Sequence, residues 1–253
     1  MTYTKMKYLL ISCMLLLAPI VAQSKSPNED DIIDKTTDAT SQNYYPNLYL
    51  RFLMGDTTLT LDNYHYLYYG YIYQNGYRPL EVDNSMNKVL MLASAINPAE
   101  PNVAALDNLI LAANEAVDFN PFSAQLWNLL SFAYGALGDT TREAAAYDKV
   151  TKILQTIDDS GDGLKKDSPK HIIMFDHAID YLASLSIPHS AAQVVDRAVE
   201  YIPFEEKQEI DGRDRKGMFF DYSRIYRNKP EGYEYQRERS WQLNNLKPWK
   251  KRD

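Results

Sequence analysis

The stretch NPFSAQLWNLLSFAYGALGDTTREAAAYDKV, residues 120–150, decides the fold. Asn120-Pro121 marks an entry corner, because proline disfavours helix in the residue before it and suits the start of the next one. Trp127, Leu130, Tyr134 and Leu137 follow at spacings of three, four and three, which sets them on one face of a helix over residues 122–137. Gly138 supplies the turn. Beyond it Ala144, Tyr147, Val150 and Leu154 recur at helical spacing, so a second helix is expected to lay that face against the first. A single hairpin cannot bury both of its sides, and neighbouring helices must complete the stack.

The order of large and small residues from Trp127 through Leu130, Tyr134 and Gly138 to Ala144 and Tyr147 resembles a tetratricopeptide repeat, with a connecting turn one residue longer than the usual pattern. The upstream sequence supplies the neighbours. Leu48, Phe52 and Leu53 share one face of a short helix that Gly55 stops in the left-handed region. Thr60 then precedes Leu61, with Asp62 and Asn63 in the first turn, as at a capped helix start. Tyr64, Leu67, Tyr68 and Tyr71 form the apolar face of that helix, which runs to about Tyr73 before Asn75-Gly76 and Pro79 end it. Further helices over residues 84–96 and 103–119 close at Asn97-Pro98 and Asn120-Pro121.

After Ile157 the character changes. DDSGDGLKKDSPK reads as a loop, HIIMFDHAIDYLASL is ambiguous between strand and helix, AAQVVDRAVEYIPF begins helical and turns strand-like, and KGMFFDYSRIY reads as a strand. The expected fold is mainly α: tetratricopeptide-like antiparallel helical hairpins with a small C-terminal β element, α+β overall. One domain is expected over residues 44–228, behind a disordered acidic linker at 25–43 and ahead of a basic tail at 229–253.

Lys5 and Lys7, an apolar run from Tyr8 to Val21 and the small residues before Lys25 read as a secretory signal peptide over residues 1–24. The sole cysteine, Cys13, lies inside that run. A lipid-attachment site after Leu10-Ile11-Ser12 is the lesser reading, and loss with the cleaved signal is the favoured one. Without Cys13 the chain has no disulfide, thiolate nucleophile or Cys-ligated zinc. The formal charge of -7 is unevenly spread, since residues 224–253 hold nine Lys and Arg against four acids. The acidic body argues against nucleic-acid binding, and membrane contact is open only to the tail, where Trp241 and Trp249 sit among basic residues.

Few motifs carry chemistry. Asp158, Ser160 and Asp162 with Gly163 begin a calcium-loop spacing, but Pro169 stands where a bidentate carboxylate is needed, and Lys165 and Lys166 interrupt it. A turn shaped by Gly161 and Gly163 at positive φ is the preferred reading, and no cofactor other than calcium is a candidate. His171 and His177 lack helical zinc spacing. A Ser-His-Asp triad has no Gly-x-Ser-x-Gly elbow to nominate its nucleophile. No phosphate-binding glycine motif occurs. Seven tyrosines between Tyr64 and Tyr77 suit a wet-edged core or a ligand face, and Tyr66, Tyr69 and Tyr73, which lie off the main apolar face, are the expected exposed members.

The segments YPNLYLRFLMGDTTLT, YHYLYYGYIYQNGYRP, SGDG and GMFFDYSRIY together resemble exported bacterial proteins of domain of unknown function family 4919, across most of residues 45–226. Membership would imply envelope export and a shared fold, and it carries over no catalytic residue. The expected function is non-enzymatic binding of a protein or peptide partner in the periplasm or cell envelope by a helical-repeat surface, with glycan binding or processing through exposed tyrosines as the alternative.

Overall fold

The computed structural model describes residues 25–227. Among the described residues eight α-helices precede and interleave with a four-stranded sheet, so the mainly α, α+β expectation describes the fold. The first described helix, α1 (Glu29–Thr37), falls where a disordered linker was expected. Asn28 caps it through Asp31 N–H, three acids occupy its first turn, and Ile32 is fully buried. One buried apolar residue, with Thr36 the other buried position, leaves little periodic signal in a charged segment, which is why composition misread it.

The next helix, α2 (Tyr45–Leu53), buries Leu48 and Phe52 but leaves Leu53 half exposed, against expectation. Gly55 follows at φ +73°, and a Cβ there would stand 3.1 Å from the Ala145 Cβ. The tyrosine helix α3 (Leu61–Gly70) begins with a reciprocal Thr60–Asn63 capping box and ends in a 3-10 turn over Tyr71–Tyr73. Every residue from Tyr64 to Gly70 is buried, because α1, α2 and a later helix cover it from several sides.

Helices α4 (Ser85–Ser94) and α5 (Val103–Phe119) pair, and α5 packs on α6 (Ala124–Ala136). Ser123 caps α6, Gly138 turns at φ +79°, and Asp139 caps α7 (Thr140–Asp158) immediately afterwards. The connecting turn is therefore tight, and the inward face of α7 is one residue out of phase with the expected one. Ala146, Lys149, Ile153 and Ile157 point inward, whereas Ala144 and Tyr147 are exposed. Trp127, Leu130 and Tyr134 are buried on α6 as expected.

The sheet has order β1-β4-β3-β2, from β1 (Lys170–His171), β2 (Gln193–Asp196), β3 (Val199–Ile210) and β4 (Arg213–Asp221). β1 runs parallel to β4, and the other pairs are antiparallel, with Asp211 and Gly212 at positive φ between β3 and β4. Gln193–Asp196, expected to be helical, is an exposed edge strand: its two valines are β-branched and no inward helical face exists for them. Ile202, Met218 and Phe220 form the inner face of the sheet. The short helix α8 (His177–Ser184) packs on α6 and α7 and joins the sheet to the helical stack.

Candidate functional site

A groove of about 590 Å³ opens between α6, α7 and α8. Its apolar surface comes from Tyr147, Val150 and Leu154 on α7 and Ile179 on α8, with Gln125 and Thr151 among its polar members. Tyr147 is 62% exposed and Ile179 39%. These are large side chains without a covering element, a condition more informative than scattered surface leucines. At the groove wall Asp180 accepts from Ser123 Oγ and from Gln125 N–H, both at 3.1 Å, so α8 ties down the start of α6. Burial pushes the Asp180 carboxyl up to about 6, and the neighbouring Asp176 adds to the rise.

Behind the groove runs a buried polar chain. Tyr68 Oη is 2.7 Å from His177 Nδ1, His177 Nε2 is 3.1 Å from Asn120 Oδ1, and Asn120 Nδ2 donates to Asp176 Oδ2 at 2.9 Å. The amide donating to Asp176 must turn its oxygen toward the ring, so Nε2 carries the proton and Nδ1 accepts from the Tyr68 hydroxyl. Burial lowers His177 to about 4 and raises Asp176 to about 6. Asp176 also faces a recess of about 260 Å³ bounded by Glu81, Asp83, Phe119 and Met174.

The tyrosines expected on the surface are placed otherwise. Tyr69 is fully buried and donates to His171 O at 3.0 Å, and Tyr66 is nearly so and donates to Asp31 Oδ2 at 2.8 Å. Tyr73 is half-buried under Arg227, whose Nη1 reaches its hydroxyl at 2.9 Å. Their hydroxyls, like that of Tyr77 on Ile173 O, satisfy polar groups of distant segments, so α3 is an internal pillar with wet ends rather than a ligand face.

The calcium-spaced residues face separate protein partners. Asp158 takes the Lys170 ammonium at 2.6 Å and the Tyr181 hydroxyl, Ser160 donates to Ile157 O, and Asp162 accepts from Leu164 N–H and Ser168 Oγ. Among the described residues no group of three His, Cys, Asp or Glu side chains is placed to hold a metal. Gly163 does adopt positive φ, as expected, whereas Gly161 is needed for close approach: a Cβ there would lie 2.0 Å from Pro169 O. His171 and His177 occupy separate sites, the first at the sheet beside Asp221 and the second in the buried chain.

The profile of one family, Domain of unknown function (DUF4919), matches residues 30–231. The chain belongs to this family. No curated protein and no solved structure matches it. The DUF4919 match takes in α1 as well as the groove, the polar chain and the sheet, and it leaves residues 232–253 outside. Sequence reasoning missed Ile179, Asp180 and the Asn120–His177 pairing. Its one available signal was the run FDHAID, which puts Asp176 and Asp180 one helical turn apart around His177. Nothing in the run names Asn120, which lies more than fifty positions away. The tail residues Trp241 and Trp249 lie outside the described residues, as does the expected signal segment 1–24.

Proposed function

We propose that this DUF4919 protein is exported and binds an amphipathic helical segment of a protein partner in the cell envelope, in the groove over α6, α7 and α8. The observation that carries the reading is the apolar row on α7 that lines the groove, with Tyr147 exposed and Val150 and Leu154 partly buried beneath it. The α6–α7 hairpin resembles a tetratricopeptide repeat, and in such stacks the outer side of the second helix receives the first helix of the next repeat. Here only the eight residues of α8 lie there, leaving room for a helix that presents apolar residues at helical spacing. Export rests on the signal-like residues 1–24 alone. The glycan alternative loses its main support, because Tyr66 and Tyr69 are internal.

Site-specific photo-crosslinking in the envelope tests the proposal. A crosslinker at Leu154 should give a defined adduct whose partner peptide has helical apolar spacing, while one at the exposed Val82 should give none. Tyr147→Asp should abolish the Leu154 adduct. Equal adducts at both positions, or none at Leu154, would overturn it.

A further inference from the structure

Ser26, His171 and Asp221 arrive from three places: the segment before α1, strand β1 and the end of β4. Ser26 Oγ lies 3.1 Å from His171 Nε2, and His171 Nδ1 lies 2.9 Å from Asp221 Oδ2. Burial alone would raise the Asp221 carboxyl, but bonds from the His171 ring and the Ser223 amide outweigh it and hold the group at about 2. An ionised carboxylate can only accept. With the ring proton on Nδ1, His171 donates to Asp221 and turns the Nε2 lone pair to the Ser26 hydroxyl, and this is the form in which it can act as a base.

The base is also held in place. His171 N–H donates to Ser160 Oγ at 2.8 Å, its carbonyl accepts from Tyr69, and Ser223 N–H fixes the second oxygen of Asp221 at 2.7 Å. Ser26 itself is exposed to solvent. Arg224 stands over the group: Nη1 is 3.0 Å from His171 Nδ1 and 3.6 Å from Asp221 Oδ2, and Nη2 donates to Pro27 O at 3.3 Å. Its buried Nε–H has no hydrogen-bond partner. These are the mutual positions of a nucleophile, a general base and an orienting acid, recognised by geometry and not by order along the chain.

We propose that Ser26 is a nucleophile for acyl esters reaching this surface, with His171 as its base and Asp221 as a positioning residue. Ser26 Oγ bonds to the ester carbonyl carbon as its proton passes to His171 Nε2. The alkoxide then leaves, takes that proton and departs as the alcohol, with the acyl group on Ser26. Water attacks the acyl carbon, giving one proton to Nε2, and the Ser26–acyl bond breaks to release the acid and restore the hydroxyl. An ester is the fitting class because Ser26 lies open to solvent, whereas an amide needs its poorer leaving group held and protonated in register. The Arg224 guanidinium beside His171 and Asp221 adds positive potential near the carbon that Ser26 would attack, where negative charge develops during acyl transfer. The site shares no residue with the groove and does not depend on partner binding.

The test uses the signal-processed protein, a fluorophosphonate probe and p-nitrophenyl acetate. One probe adduct is expected, located by peptide mass on Ser26, together with ester hydrolysis above buffer. Ser26→Ala should lose both while keeping the wild-type melting curve, and His171→Gln and Asp221→Asn should slow labelling tenfold or more. A purely packing role for Ser26 would leave no adduct. Should the His171 and Asp221 variants unfold, the wild-type labelling rate in D2O decides: slower labelling than in H2O supports proton transfer from Ser26 to a base. Equal rates in the two solvents, an adduct at another residue, or labelling indifferent to His171 in a folded variant would overturn it.

Discussion

Lys149 Nζ lies 3.6 Å from the centroid of the Trp127 ring, and the Phe52 ring is 4.5 Å away on α2. The residue that signals the helical hairpin in the sequence is thus paired with a buried lysine from the second helix. Lysine is almost never read as an inward residue, since its ammonium resists desolvation. The aromatic faces recover part of that loss through their negative quadrupoles. Burial still pushes Lys149 down to about 8, against the opposing pull of Asp148.

Replacing Lys149 by Met should stabilise the protein at pH 7. The folded pKa is depressed, so this group's contribution is most favourable above its unfolded value and is lost as pH falls through about 8. At pH 7 the charged lysine costs on the order of 3 kcal/mol relative to its neutral form, and two cation–π contacts return about 1–2 kcal/mol. Urea unfolding should show Lys149→Met gaining about 1–2 kcal/mol at pH 7 and lacking the wild-type rise in stability between pH 8 and 10. A less stable variant at pH 7 would show that the ring contacts outweigh burial.

The buried polar chain predicts two opposed pH dependences. Asp176 and Asp180 are raised to about 6, so the stability each contributes is present below the unfolded carboxylate value and is lost as pH rises to about 6. His177 and His65 are each lowered to about 4 by burial, so theirs is present above the unfolded histidine value and is lost as pH falls to about 4. Each shift corresponds to about 3 kcal/mol, and the pairs nearly cancel. Wild-type stability should be almost level from pH 4 to 6.5. Asp176→Asn should then become steadily more stable as pH rises across that window, and His177→Gln steadily less. Equal slopes in the two variants would refute the assignment.

What the sequence made legible was what local chemistry dictates. The Thr60 cap, the Asn-Pro corners, Gly55 and Gly138 placed helix ends, and of KGMFFDYSRIY the first half is strand, since β4 ends at Asp221 and 223–227 form a turn. What it concealed depended on partners far along the chain. The helical state of α1 rests on Ile32 and on Tyr66 reaching Asp31, neither of which leaves a period in residues 25–43. The phase of α7 was missed because Lys149 looked outward by chemistry and Tyr147 inward, when each does the opposite. Tyr69 looked exposed because a helix covered on several sides has no polar face from which to infer its surroundings. Ser26, His171 and Asp221 sit 145 and 50 positions apart, a separation that no local motif spans.

Tyr69→Phe should destabilise the fold although the ring stays. The lost hydroxyl donates to His171 O inside the protein, and leaving a buried carbonyl without that donor costs about 1–2 kcal/mol. Tyr147→Phe, on the exposed groove wall, should change stability by less than about 0.5 kcal/mol. Denaturant midpoints for the two variants give the comparison, and equal effects would place Tyr69 nearer solvent than the geometry does.

Gly138, in the turn between α6 and α7, and Gly161, just after α7, should separate close approach from backbone preference. Gly138 has φ +79° and open space where a Cβ would stand, so Gly138→Ala should cost only the left-handed penalty of about 1–2 kcal/mol. Gly161 faces the backbone oxygen of Pro169 at 2.0 Å from its would-be Cβ, and backbone cannot yield as a flexible side chain can. Gly161→Ala should therefore cost about 3 kcal/mol or more, among the larger single-residue effects. It would pull the 161–169 loop apart, and with it the Asp158–Lys170 pair at the edge of the sheet. The same loop carries the calcium-like spacing, so wild-type protein should melt at one temperature with calcium or with chelator. A calcium-dependent rise that Asp162→Asn removes would mean that the loop reorganises around the ion, and Gly161 would then be conserving a binding turn instead of a packed one.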